Sequence, residues 1–253
     1  SIQMNYNSLS ELSSKLSKLT NLKYLTLELE NNKIKDEGAI RLSQAILQFA
    51  NLKTLRLSLD MNKITSMGAS DLIQSVVKCK NIYSLTLSLN DNQISDQDIK
   101  NLGQSLTKLF ELHNLKISLR DNEISDQGVK MLGQALTKCF KLTQLTISLR
   151  RNQIGDQGII DLSQGLSKCN QLSTLKINIY GNNINSKAGL YFLQGISKIR
   201  NLTNLSLCTS VYSFQPSRKS FFKNMSQRIL KIKRLLYFSL TIYFYDEPEE
   251  EYV

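Results

Sequence analysis

The feature that most constrains this chain is a gap-free internal repeat. Segments beginning at Asn21, Asn51, Asn81, Glu111, Lys141 and Gln171 carry one apolar frame at thirty-residue steps. In the fifth copy that frame is Leu142, Leu145, Ile147, Leu149, Ile154, Leu162 and Leu166. Its first half alternates with period two and its second half has helical spacing, so each copy predicts a strand followed by a helix. Such a unit cannot bury its own apolar face. A fixed period makes successive units stack, and the expected product is a solenoid whose core runs its whole length.

The punctuation agrees with that spacing. Asp36, Asp96, Asp126 and Asp156, with Ser66 and Ser186 in the other copies, stand where a helix N-cap is expected, and Gly38, Gly68, Gly128 and Gly158 follow two residues later. Between strand and helix each copy holds one asparagine: Asn32, Asn62, Asn92, Asn122, Asn152 and Asn182. An amide both donates and accepts, so this row is expected to form a ladder that satisfies the backbone of stacked loops.

The pattern L-x-x-L-x-L-x-L-x-x-N-x-I-x-D-x-G-x-x-x-L-x-x-x-L, dense over residues 21–200, resembles the ribonuclease-inhibitor-like class of leucine-rich repeats. Two extra residues before the asparagine, Ser148 and Leu149 in the fifth copy, depart from that class and are expected to lengthen each strand by one pleat. The resemblance implies an α/β solenoid with a curved parallel sheet on the concave face and helices on the convex face. It implies no activity, because sites are grafted onto folds. Relatives in that class include ribonuclease inhibitors, activators of small GTPases and subunits of ciliary and cytoskeletal complexes.

The ends are irregular. Residues 1–20 read as an N-terminal half-repeat helix, residues 21–200 as six full copies, and residues 201–245 as an irregular seventh copy with a C-terminal cap strand. There Tyr212 takes the asparagine position, a loop with Pro216 replaces the usual turn, and Leu235, Phe238, Leu240 and Ile242 restart the strand frame. Residues 246–253 form an acidic tail. The first strand has no neighbour on its outer side, so either more solenoid or a partner is expected there, covering Leu25, Leu27 and Leu29.

Candidate chemistry is sparse. The single histidine, His113, occupies a repeat position that holds Lys23, Lys53, Tyr83, Thr143 and Ser173 elsewhere, and the glycines fall at repeat spacing rather than in a phosphate loop. No enzyme activity, cofactor or metal is expected. Cys79, Cys139 and Cys169 share one core position of the repeat, beyond disulfide reach of one another, which points to a reducing, cytoplasmic compartment, with cytoskeletal or ciliary assemblies among the settings the family implies. No apolar run reaches the length of a membrane span.

Binding is therefore the expected function. Strand residues between the leucines point to the concave face in rows. One row reads Glu30, Asp60, Asn90, Arg120, Arg150 and Tyr180, and another Thr26, Arg56, Thr86, Lys116, Thr146 and Lys176. Lys116, Arg120, Arg150, Lys176 and Tyr180 are the candidate contact residues for an acidic protein partner. The charge supports this choice: the chain carries +11, and residues 141–234 hold fifteen Lys or Arg against two Asp. The alternative is a polyanion-binding adaptor for RNA or an acidic membrane surface, using Arg218, Lys219, Lys223, Arg228 and Lys231 on or beside the last helix. Against nucleic acid stands the lack of stacked aromatic rows on the concave face.

Overall fold

The computed structural model describes residues 6–212 and 217–245. The Pro216 loop and the acidic tail lie outside the described residues. A helix, α1 (Tyr6–Leu16), leads into β1 (Tyr24–Glu28), and strand and helix then alternate as α2 (Lys35–Ile46), β2 (Thr54–Ser58), α3 (Ser66–Val76), β3 (Ser84–Ser88) and α4 (Asp96–Leu106). The order continues through β4 (Asn114–Ser118), α5 (Asp126–Leu136), β5 (Gln144–Ser148), α6 (Asp156–Leu166), β6 (Thr174–Asn178) and α7 (Ser186–Ile196). It ends with β7 (Asn204–Tyr212), α8 (Arg218–Ile229) and β8 (Tyr237–Tyr245). All the strands form one open, curved parallel sheet in sequence order, with the helices stacked beside one another on its other side.

Register follows the repeat. Tyr24 pairs with Thr54, Thr54 with Ser84, and so on to Asn204, after which the step lengthens and Asn204 pairs with Tyr237. Parallel hydrogen bonding runs past the short strands, as in Leu149 N–H to Asn178 O and Arg151 N–H to Tyr180 O, both at 2.8 Å, so the added pleat is present. The fifth-copy frame is fully buried: Leu142, Leu145, Ile147, Leu149, Ile154, Leu162 and Leu166 are each at most 1% exposed. The price of the turn out of each strand is a left-handed residue at the same repeat position, Asn31, Met61, Asp91, Asp121 and Arg151, with glycine only at Gly181.

Every asparagine of the row from Asn62 onward reaches back one copy. Asn182 Oδ1 accepts from Asn152 N–H (3.2 Å) and Ile154 N–H (3.1 Å), while its Nδ2 donates to Leu149 O (2.8 Å) and Ile179 O (2.9 Å). Asn62, Asn92, Asn122 and Asn152 repeat this pattern, each donating to a strand-end carbonyl of the copy before. Asn32 donates to Glu30 O in its own loop.

The aspartates do something other than the capping expected of them. The N-caps are one residue earlier, at Thr65, Ser95, Ser125, Gly155 and Asn185, all in extended backbone conformation. Asp96, Asp126 and Asp156 open their helices and Asp36 is the second residue of α2, and each reaches forward to the cap of the next copy. Asp36 accepts from Thr65 N–H (2.8 Å), Thr65 Oγ1 (2.6 Å) and Gly68 N–H (3.1 Å). Asp96 binds Ser125, Asp126 binds the N–H of Gly155, and Asp156 binds Asn185. The repeat glycine follows from this ladder: a Cβ at Gly68, Gly128 or Gly158 would lie 2.3–2.6 Å from the preceding Asp Oδ1.

One copy breaks the ladder and repairs it. Where Ser66 replaces the aspartate, Asp98 replaces the glycine of the following copy. Asp98, 1% exposed, accepts from Ser95 N–H (2.9 Å), Ser95 Oγ (2.8 Å) and Ser66 Oγ (2.6 Å), taking over the donors that an aspartate at 66 would have served.

At the N-terminal edge the structure corrects one expectation. Leu25 (6%) and Leu29 (7%) are already buried and Leu27 is partly buried against the core, so what β1 leaves open is its backbone edge rather than its leucines. At the other end, a small apolar cavity lies under β7 and β8, lined by Phe192, Val211, Phe221, Met225 and Ile242. It adjoins Gly189, at the position that holds Ile99, Val129 and Ile159 in other copies, and a Cβ built there meets nothing closer than Phe221 at 4.0 Å. Gly189→Ala is therefore expected to stabilise the protein by about 1 kcal/mol through helix propensity, read as a raised denaturation midpoint.

Candidate protein-interaction face

The concave rows carry side-chain contacts between neighbouring copies at both the acidic and the basic end. At the N-terminal end Glu28 pairs with Arg56 Nε at 3.3 Å. Asp60 accepts from Asn90 N–H (2.9 Å) and Nδ2 (2.8 Å). Asn90 Oδ1 in turn accepts from Ser118 Oγ (2.8 Å) and Arg120 N–H (2.7 Å). Glu28 and Asp60 are thus engaged with neighbours along the sheet.

The basic half is organised differently. Arg120 Nε pairs with Asp121 Oδ2 at 2.8 Å, and the Arg150 guanidinium lies 4.8 Å from the centre of the Tyr180 ring. Tyr180 meets Tyr243 edge-to-face, with ring centroids 4.6 Å apart. The buried Ser210, which bonds Gly181 N–H and pairs in register with Tyr243, is the small residue between their strands. Arg120 and Arg150 are half-buried rather than fully on the solvent face. Lys116 and Lys176 are exposed and make no ion pair among the described residues. They flank Thr146, two strands apart, roughly 10 Å at the usual strand spacing.

The fold therefore brings Arg150, Tyr180 and Tyr243 into one stack, with Lys176 four residues before Tyr180, roughly 13 Å along the strand direction, and Arg120 and Lys116 on a neighbouring strand. Tyr243 is absent from the residues the repeat pattern singled out. The lengthened step between β7 and β8 hides it, since it falls in the Tyr180 row only when the register is shifted.

The basic run at α8 is dispersed. Arg218, Lys219, Lys223 and Lys231 are exposed, but Arg228 is half-buried, with Nη1 donating to Asn224 O of its own helix at 3.1 Å. At about 100° per residue Lys219 and Lys223 share a face, whereas Arg228 lies about 140° from Lys223 around the axis.

Elsewhere the ionisable groups are structural. His113 stacks on Tyr83 with ring centroids 4.4 Å apart, and its Nδ1 lies 2.8 Å from Glu111 O. Lys141 Nζ, 2.7 Å from Glu111, holds that carboxyl below the usual range. Cys79, Cys139 and Cys169 are buried free thiols; burial pushes Cys79 and Cys139 up to about 11 and Cys169 to about 12, which keeps them protonated and poorly nucleophilic. Burial also raises Cys208, against the opposing charge of Arg150. Among the described residues no helix is long and apolar enough to cross a membrane.

Comparison with known proteins adds the following. The family described as Leucine Rich repeat matches residues 19–43, 111–133 and 138–163. No curated protein matches the chain. Among solved structures it is similar to internalin C2 from Listeria monocytogenes (19% identity, TM-score 0.44, covering 90% of this chain and 84% of that one). It is also similar to Leiomodin-1 Actin-Binding Site 2 (12% identity, TM-score 0.45, covering 91% and 98%).

Proposed function

We propose that this leucine-rich-repeat solenoid is a non-catalytic interaction scaffold, a subunit or adaptor of a larger assembly, that docks an acidic protein surface on the C-terminal half of its concave face. Leucine-rich-repeat proteins typically mediate protein–protein interaction, and the strand–helix build of each copy fits the ribonuclease-inhibitor-like class. The observation that carries the reading is the stack of Arg150, Tyr180 and Tyr243 on the same face as the exposed Lys116 and Lys176. Rigid Arg and Tyr side chains lose little entropy on binding, and unpaired lysines around them steer a negatively charged partner. The four free cysteines, three of them buried, fit a reducing, cytoplasmic setting.

Lys116→Glu/Lys176→Glu tests it cleanly, because neither side chain is paired. Association with the partner purified from native cells is expected to slow about tenfold or more at low salt, with little change in melting temperature. Unchanged association would remove the concave face from consideration. The second reading is polyanion binding through Arg218, Lys219, Lys223 and Lys231. It gains if reversing those four charges abolishes binding to RNA or to acidic vesicles while the concave variant still binds. The spread of these residues around α8 favours the scaffold.

A further inference from the structure

The two edges of the sheet are unlike. Among the described residues β1 has five residues, the length of β2 to β6, ends on Glu28 and is flanked by Lys23 and Glu30. β8 has nine residues, Tyr-Phe-Ser-Leu-Thr-Ile-Tyr-Phe-Tyr, with no charge, proline or glycine. Tyr237 N–H donates to Thr203 O at 3.0 Å. By the alternation of a parallel ladder, the odd-numbered residues of β8 then face β7, and the N–H and C=O groups of 238, 240, 242 and 244 face the open edge. On the core side, Phe238 is 37% exposed and Leu240 and Ile242 are only partly buried, while the adjacent Leu236 is 85% exposed.

We propose that β8 is a homodimer interface, where the edge strands of two copies pair antiparallel about a two-fold axis at Thr241 and join the two sheets into one. The sequence is self-complementary about that residue at three of its four pairs. The two-fold sets Tyr237 opposite Tyr245, Phe238 opposite Phe244, and Leu240 opposite Ile242, like against like, and Ser239 opposite Tyr243, a small residue against a large one. The backbone agrees, since 238 pairs with 244 and 240 with 242, and these are the residues whose polar groups face the edge. A two-fold contact requires such self-complementarity, and a partner of unrelated sequence does not.

Sedimentation velocity on the full chain tests this. Thr241 is exposed on the concave side, and the two-fold places it against itself at a non-hydrogen-bonded pair. The parent is expected to be dimeric. Thr241→Lys should weaken association at least about tenfold by like-charge apposition, and Thr241→Ala should leave it dimeric, with the unfolding transition of each variant unchanged. A parent that stays monomeric at the highest concentration reached overturns the proposal, as does a Thr241→Lys variant as tightly dimeric as the parent. A series of ever larger species, the signature of β1 adding to β8 head to tail, overturns it as well.

Discussion

Ser66→Asp is expected to destabilise the protein by about 3 kcal/mol, and the double variant Ser66→Asp/Asp98→Gly to recover most of that loss. Taken alone, the first change restores the residue found at four of the six equivalent positions and looks like an improvement. The structure gives the opposite sign. Asp98 already accepts from both Ser95 groups and from Ser66 Oγ while 1% exposed, so a second carboxylate would compete for the same donors without water to screen it. Asp98→Gly opens the space that Gly68, Gly128 and Gly158 leave for the aspartate before them. A double-mutant cycle by denaturant unfolding measures the coupling. If the two single-variant changes simply add, the two caps are not alternatives.

Asn182→Ala is expected to cost about 2–4 kcal/mol. The side chain is 2% exposed and is the shared partner of two backbone N–H groups and two carbonyls, drawn from its own copy and the preceding one. Alanine leaves those groups buried and unpaired. Leucine at the same position would add volume without restoring a bond, so it is expected to do no better. An unfolding midpoint equal to the parent's would show that water or a rearranged loop satisfies the backbone, and the ladder would lose its role as the tie between copies. The effect also bears on the interaction face, since the Arg150 and Tyr180 backbones leave the sheet next to this asparagine's loop.

How much of this was legible in the sequence depended on the range of the interaction. Period-two and helical spacings are local properties, so the leucine frame, the strand–helix order and the concave rows could be read directly, and the constant step fixed which strand lies beside which. The asparagine row was legible for the same reason: an amide recurring once per turn has one repeated neighbour. The aspartate row was read in the wrong role, because a carboxylate at the head of a helix looks like its own cap, and only the stacked copies reveal that it serves the next one. Asp98 in place of glycine has meaning only beside Ser66, thirty-two residues earlier. The lengthened step into β8 likewise hid Tyr243 from the Tyr180 row. Repetition along the chain determined the scaffold; which polar groups meet between copies, and how the last strand is offset, was decided by packing, where contacts between distant residues set the partners of each side chain.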